Sequence, residues 1–92
     1  MFFLQTHQTL CTQTRFLPLL GKTVYILTED PLPGGESQYA ITIQCDNSTL
    51  EPQRTVRDIT TDRSLALSLF WKICRGSVTP CTLTEVLSEL LP

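Results

Sequence analysis

The stretch ICRGSVTPCTL, residues 73–83, places Cys74 and Cys81 seven residues apart around a short turn. With Cys11 and Cys45 they are the chain's four thiols, and His7 is its one imidazole. Such groups could ligate zinc, form a redox pair, or supply a nucleophile and its base. Structural zinc sites draw their ligands from closely spaced pairs, because each pair sits on one turn. The cysteine spacings of 34, 29 and 7 contain no C-x-x-C pair. A Cys–His or Ser–His–Asp set would rest on His7 alone, in a segment without periodicity. Free, buried or half-buried thiols are therefore expected, with no metal and no cofactor. A thiol switch between Cys74 and Cys81 stays open, with Arg75 and a helix N-terminus as the only nearby groups that favour a thiolate.

Other chemistry fares no better. Asp58 and Asp62 flank the junction DITTDR, and two carboxylates without further ligands make a poor Ca²⁺ or Mg²⁺ site. Helix capping and salt bridges to Arg57 or Arg63 account for them. Pro33-Gly34-Gly35 lacks the lysine and the following helix of a phosphate loop. A DNA-reading helix-turn-helix needs Arg, Lys, Asn or Gln at the start of its second helix. Residues 80–92 contain none of these and carry Glu85 and Glu89 instead. The chain reads as a non-enzyme, and nucleic acid is disfavoured as a partner of this hairpin.

The elements that position these residues follow from periodicity. KTVYILTE (22–29) is rich in β-branched and aromatic residues and predicts a strand. EDPLPGGESQ is a loop. YAITIQC alternates, with Tyr39, Ile41, Ile43 and Cys45 on one face and Ala40, Thr42 and Gln44 on the other. After the polar DNSTLEPQ, RTVRDI (54–59) predicts a third strand. Three sequential strands joined by turn-rich loops most simply form an antiparallel meander.

The period then becomes helical. Thr60 or Thr61 is expected to cap a helix, with Asp62 at its positive end. Ser64, Ser68, Lys72 and Arg75 mark one narrow polar face, and nearly everything else to Cys74 is apolar. That is more apolar surface than one core-facing stripe needs. Gly76 is expected in the left-handed stop position. Thr79 then caps a second helix with Pro80 at its first position, and Val78 can staple to Leu83. Leu83, Val86, Leu87, Leu90 and Leu91 form its amphipathic stripe.

Ninety-two residues make one small domain, and 41% hydrophobic with 17% charged residues is a globular composition. The net charge is −2, with five bases (Arg54, Arg57, Arg63, Lys72, Arg75) gathered between residues 54 and 75. The N-terminal MFFL lacks the basic flank and apolar length of a secretory leader, and no run approaches a membrane span. A cytoplasmic location is expected, where structural disulfides are rare.

QYAITIQ, TVRDITTDR, the apolar helix and SVTPCTLTEVLSELL together resemble a family of small proteins of unknown function from clostridial-type bacteria. The shared pattern is Y-x-I-x-I, then V-x-D-I-[ST]-[TS]-D-R, then V-[ST]-P-x-x-L-x-[DE]-V. The resemblance spans roughly residues 22–91, with DITTDR and VTP its most specific pieces. It departs at Ala40, where the pattern has glycine. It implies a bacterial cytoplasmic protein with a meander and two helices, and it implies no activity.

The sequence thus predicts an α+β domain: a three-stranded antiparallel β-meander followed by a two-helix hairpin packed on one face. Residues 1–20 read as an N-terminal extension and 21–92 as a single β-β-β-α-α domain. Leu67 and Trp71 have two readings. Either Phe16, Leu17, Leu19 and Leu20 cover them as extra core, or they form an exposed patch rimmed by Arg57 and Arg63. The leading function is a non-enzymatic interaction or regulatory module, as a homodimer or with an unidentified protein. The alternative is a nucleic-acid or anionic-ligand module using the basic cluster.

Overall fold

The computed structural model describes residues 8–91. His7 and the MFFL segment lie outside the described residues. The element order is β1 (Gln8–Leu17), β2 (Gly21–Pro31), β3 (Ser37–Cys45), β4 (Arg54–Val56), α1 (Arg63–Arg75), a 3₁₀ turn (Pro80–Thr82) and α2 (Leu83–Leu90). The four strands form one antiparallel sheet in the order β1-β2-β3-β4. The fold is α+β, with both helices contributing to a core on one face of the sheet.

The three expected strands are present as a meander, and a fourth precedes them. Residues 8–17, read above as part of an N-terminal extension, pair along β2 from Gln8 opposite Glu29 to Leu17 opposite Gly21, with a bulge between Thr9 and Cys11. This strand lacks an apolar alternation because it is an edge strand mostly open to solvent, so polar residues are tolerated on both its faces. The third expected strand is shorter than its sequence pattern. Ladder pairing ends at Val56, and Asp58 adopts a left-handed φ of 56°. Ile59 and Thr60 nevertheless continue beside β3: Ile59 N donates to Tyr39 O at 3.0 Å, and Tyr39 N donates to Thr60 O at 3.2 Å.

The alternation in β2 and β3 divides the sheet as period two requires. Tyr25, Leu27, Tyr39, Ile41 and Ile43 are buried against Ala66, Leu69, Phe70, Ile73 and Cys74 of α1 and Leu83 and Leu87 of α2. Cys45, expected on that face, is only half-buried at the strand end, where its thiol donates to Glu51 O at 3.4 Å. At the tip between β2 and β3, Gly34 and Gly35 both have positive φ (95° and 93°), so Pro-Gly-Gly is a turn device.

Three helix ends differ from expectation. Asp62, rather than Thr60 or Thr61, is the N-cap of α1; its carboxylate accepts from Ser64 N at 2.9 Å and Leu65 N at 3.2 Å. Thr60 supports it from behind, its hydroxyl accepting from Asp62 N. At the other end Gly76 is right-handed (φ −81°), and Ser77 takes the left-handed position at φ 51°. Ser77 N still donates to Cys74 O and Val78 N to Ile73 O, so the terminal carbonyls are satisfied one residue later than expected. Thr79 and Pro80 begin a 3₁₀ turn rather than α2 itself, Thr79 making no side-chain capping bond and Thr82 being the N-cap of α2, while Val78 and Leu83 both enter the core.

Candidate interaction surface

Helix α1 has more apolar residues than one face can bury, and packing decides which are left over. Ala66, Leu69, Phe70, Ile73 and Cys74 point into the core. Leu67 and Trp71, four residues apart, lie together on the flank next to Cys74. Leu67 is half-buried, while Trp71 remains 42% exposed with its ring set edge-on to Phe70 at a centroid distance of 5.2 Å.

The Cys74 end of α1 lies beside β1. Arg15 Nη1 donates to Cys74 O at 3.1 Å, and the Cys74 thiol interacts electrostatically with Arg15 and Cys11, both on β1. The N-terminal segment does not cover Trp71 as one reading proposed. Phe16 and Leu19 are themselves 79% and 84% exposed, and of the four named residues only Leu20 is buried. Phe16, being opposite Lys22, lies on the sheet face away from the helices. Leu19 occupies the tip of the β1–β2 turn with φ 69°, held by a Leu20 N to Pro18 O bond of 2.8 Å. A left-handed leucine is a strained and unusual choice there. The four exposed large hydrophobic residues among those described are therefore dispersed: Trp71 lies on α1, Phe16 on the opposite sheet face, Leu19 at the β1–β2 tip and Leu50 in the loop after β3.

The basic residues do not converge. Arg63 begins α1, near Glu29 at 3.9 Å, and Arg75 ends it, so about 18 Å of helix separates them. Arg57 lines a shallow pocket with Thr28, Ala40, Thr42 and Thr55, on the sheet face opposite the helices. Of the rim expected around Leu67 and Trp71, Arg63 shares their helix and Arg57 is on the far side of the sheet. Arg54 lies beside Cys81 and Glu51. No single basic footprint results.

The four cysteines are all free thiols, and the fold separates the pair that looked closest in sequence. Cys74 is buried, and burial pushes its thiol up to about 11, partly offset by Arg15. Cys81 is exposed and faces Glu51, whose carboxylate accepts from Cys81 N at 2.9 Å. The carboxylate also accepts from the thiol, which raises the thiol's pKa, while the Cys81 backbone N–H is the main cause lowering that of Glu51. Neither cysteine is an activated nucleophile. Among the described residues no group of three or more His, Cys, Asp or Glu could hold a metal ion. None of the helices there is long and apolar enough to cross a membrane.

Sequence reasoning missed the contribution of β1. The signal present was β-branched Thr12 and Thr14 leading to Phe16 at period two. It was too polar to stand out.

The chain belongs to a family of unknown function (DUF6514), whose model matches residues 10–92. The match begins within β1 and so includes most of the edge strand in the family's domain. No curated protein and no solved structure matches the chain.

Proposed function

We propose that this family member is a non-enzymatic protein-interaction domain whose contact surface is the margin formed by the Leu67–Trp71 flank of α1 and strand β1. The observation that carries this reading is the 42% exposure of Trp71, the chain's single tryptophan, on a helix where Leu69, Phe70 and Ile73 are fully buried. Leaving a tryptophan half in water forgoes a large part of its burial free energy, and such residues are the usual anchors of interfaces. Half-buried Leu67, one turn away on the same flank, extends the patch, and free thiols fit the cytoplasmic location we propose with it.

The test is a photo-crosslinking amino acid placed in the living cell at Leu67, with Glu85 on the exposed side of α2 as the control position. A defined adduct from position 67 and none from 85 supports the reading. Equal or absent labelling at both positions removes it. The anion-binding alternative has no comparable support, because its five bases are spread over both faces and both ends of α1.

A further inference from the structure

The two edges of the sheet are built differently. On the β4 side the ladder is three residues long, follows Pro52, and is continued by the Ile59–Thr60 backbone bonded to Tyr39. That edge is short and capped. On the other side, β1 presents ten residues with no proline, no lysine and no carboxylate. Natural edge strands are usually protected by such residues, by brevity or by a covering element. Among the described residues the one protective feature here is the bulge near its start, and the strand's one charge is Arg15, whose guanidinium is turned inward to Cys74 O.

From this we infer that the partner at this margin is a second copy of the chain, joined by antiparallel β1–β1′ pairing about a two-fold axis. The inference rests on the interaction reading above and names its partner. Edge-to-edge pairing of identical strands is self-complementary, because each strand's free N–H and C=O groups meet the same groups of its copy. A partner of distinct charge would require an acidic or basic pattern, and β1 has none.

Pairing that keeps helices on one side must set residues of the same face opposite each other. The axis therefore passes through a single residue, and Gln13 gives nearly full overlap of residues 9–17. Thr12 then meets Thr14′ on the open face, and Cys11 meets Arg15′ on the helix face. With the Cys74 end of each α1 beside β1, the two helices would flank the seam, and burial of Leu67 and Trp71 there would account for their exposure in the single chain.

The experiment uses the purified full chain. Sedimentation velocity from micromolar to millimolar concentration should give a concentration-dependent dimer, with Trp71 emission shifting to the blue in step. Gln13→Cys in a Cys11→Ser, Cys81→Ser background should form an interchain disulfide under mild oxidation, since residues opposite across an axis have Cβ atoms about 4.5–5.5 Å apart. Glu85→Cys in the same background should not. Thr12→Lys with Thr14→Lys should weaken the dimer roughly tenfold or more by placing like charges together, with circular dichroism unchanged. If that double variant unfolds, the Gln13→Cys result decides alone.

A monomer at all concentrations with no Gln13→Cys crosslink overturns the inference. So does a dimer that the lysines leave intact and Trp71→Glu alone dissolves, since that is helix-only contact. A monomer in solution that still crosslinks from position 67 to a different protein in cells overturns the second copy and leaves the interaction reading standing.

Discussion

Tyr25 and Val78 are joined by a buried hydrogen bond in which the phenol Oη donates to the Val78 carbonyl at 2.9 Å. The contact spans 53 residues and ties the centre of the sheet to the turn between the helices. Tyr25 itself is fully buried. Tyr25→Phe preserves the ring and strands that carbonyl. It should cost about 1–3 kcal/mol, the cost of an unsatisfied buried acceptor. Urea unfolding of both proteins, with m unchanged, measures it.

Phe70 and Trp71 are adjacent and should behave oppositely. Phe70→Ala empties the core and should cost about 3–5 kcal/mol. Trp71→Glu alters a half-exposed flank, and its effect on the isolated chain should stay within roughly 0.5–1 kcal/mol while association is lost. Thermal melts at low concentration separate the two. If Trp71→Glu unfolds the domain, the tryptophan is core.

The caps of α1 give a paired test. Asp62→Ala removes the acceptor for Ser64 N and Leu65 N and should destabilise by about 1 kcal/mol. Ser77→Gly relieves a left-handed non-glycine residue and should stabilise by roughly 0.5–1 kcal/mol. Chemical denaturation midpoints should move in opposite directions.

The thiols should react in a fixed order. Cys81 is exposed and should be alkylated in the native protein, slowly because Glu51 raises its pKa. Cys74 should react only on unfolding. Its raised pKa also predicts alkaline weakening. Folding favours the neutral thiol, so the contribution is complete below the ordinary value of 9.0 and is lost as pH rises toward about 11. Tyr25, pushed to about 12 mainly by burial, extends the same trend from its ordinary 10.0 upward. In Cys74→Ala the slope of stability against pH between the two thiol values should flatten; an unchanged slope would sink this assignment.

Glu51 predicts the acid limb. Its pKa is lowered chiefly by the Cys81 backbone N–H, so the folded state favours the carboxylate. That stability is present above the ordinary 4.5 and is lost as pH falls through the lower folded value. Glu51→Gln should reduce the loss of stability on acidification over that range, read from denaturation midpoints at a series of pH values.

The sequence by itself determined the elements whose sides differ in environment. β2 and β3 were legible because a strand with one buried face must alternate. The helices were legible because caps, breakers and apolar spacing agree from Asp62 to Leu90. Even there, which of Thr60, Thr61 or Asp62 caps α1 depended on where the backbone leaves β4. Similarly, the left-handed residue fell on Ser77 because the carbonyls of Ile73 and Cys74 bond Val78 and Ser77.

Only the tertiary structure decided the margin. An edge strand is held by backbone hydrogen bonds to one neighbour, and these leave no side-chain signature, so β1 showed only the weak polar alternation of Thr12, Thr14 and Phe16. The surplus apolar residues of α1 were visible in sequence, but their sorting into a buried Phe70 and an exposed Trp71 depends on how the helix is rotated over β2 and β3. The same rotation put Cys74 in the core beside β1 and left Cys81 in water beside Glu51. Sequence proximity could not reveal that, because the six residues between them include a turn that sends the chain the other way.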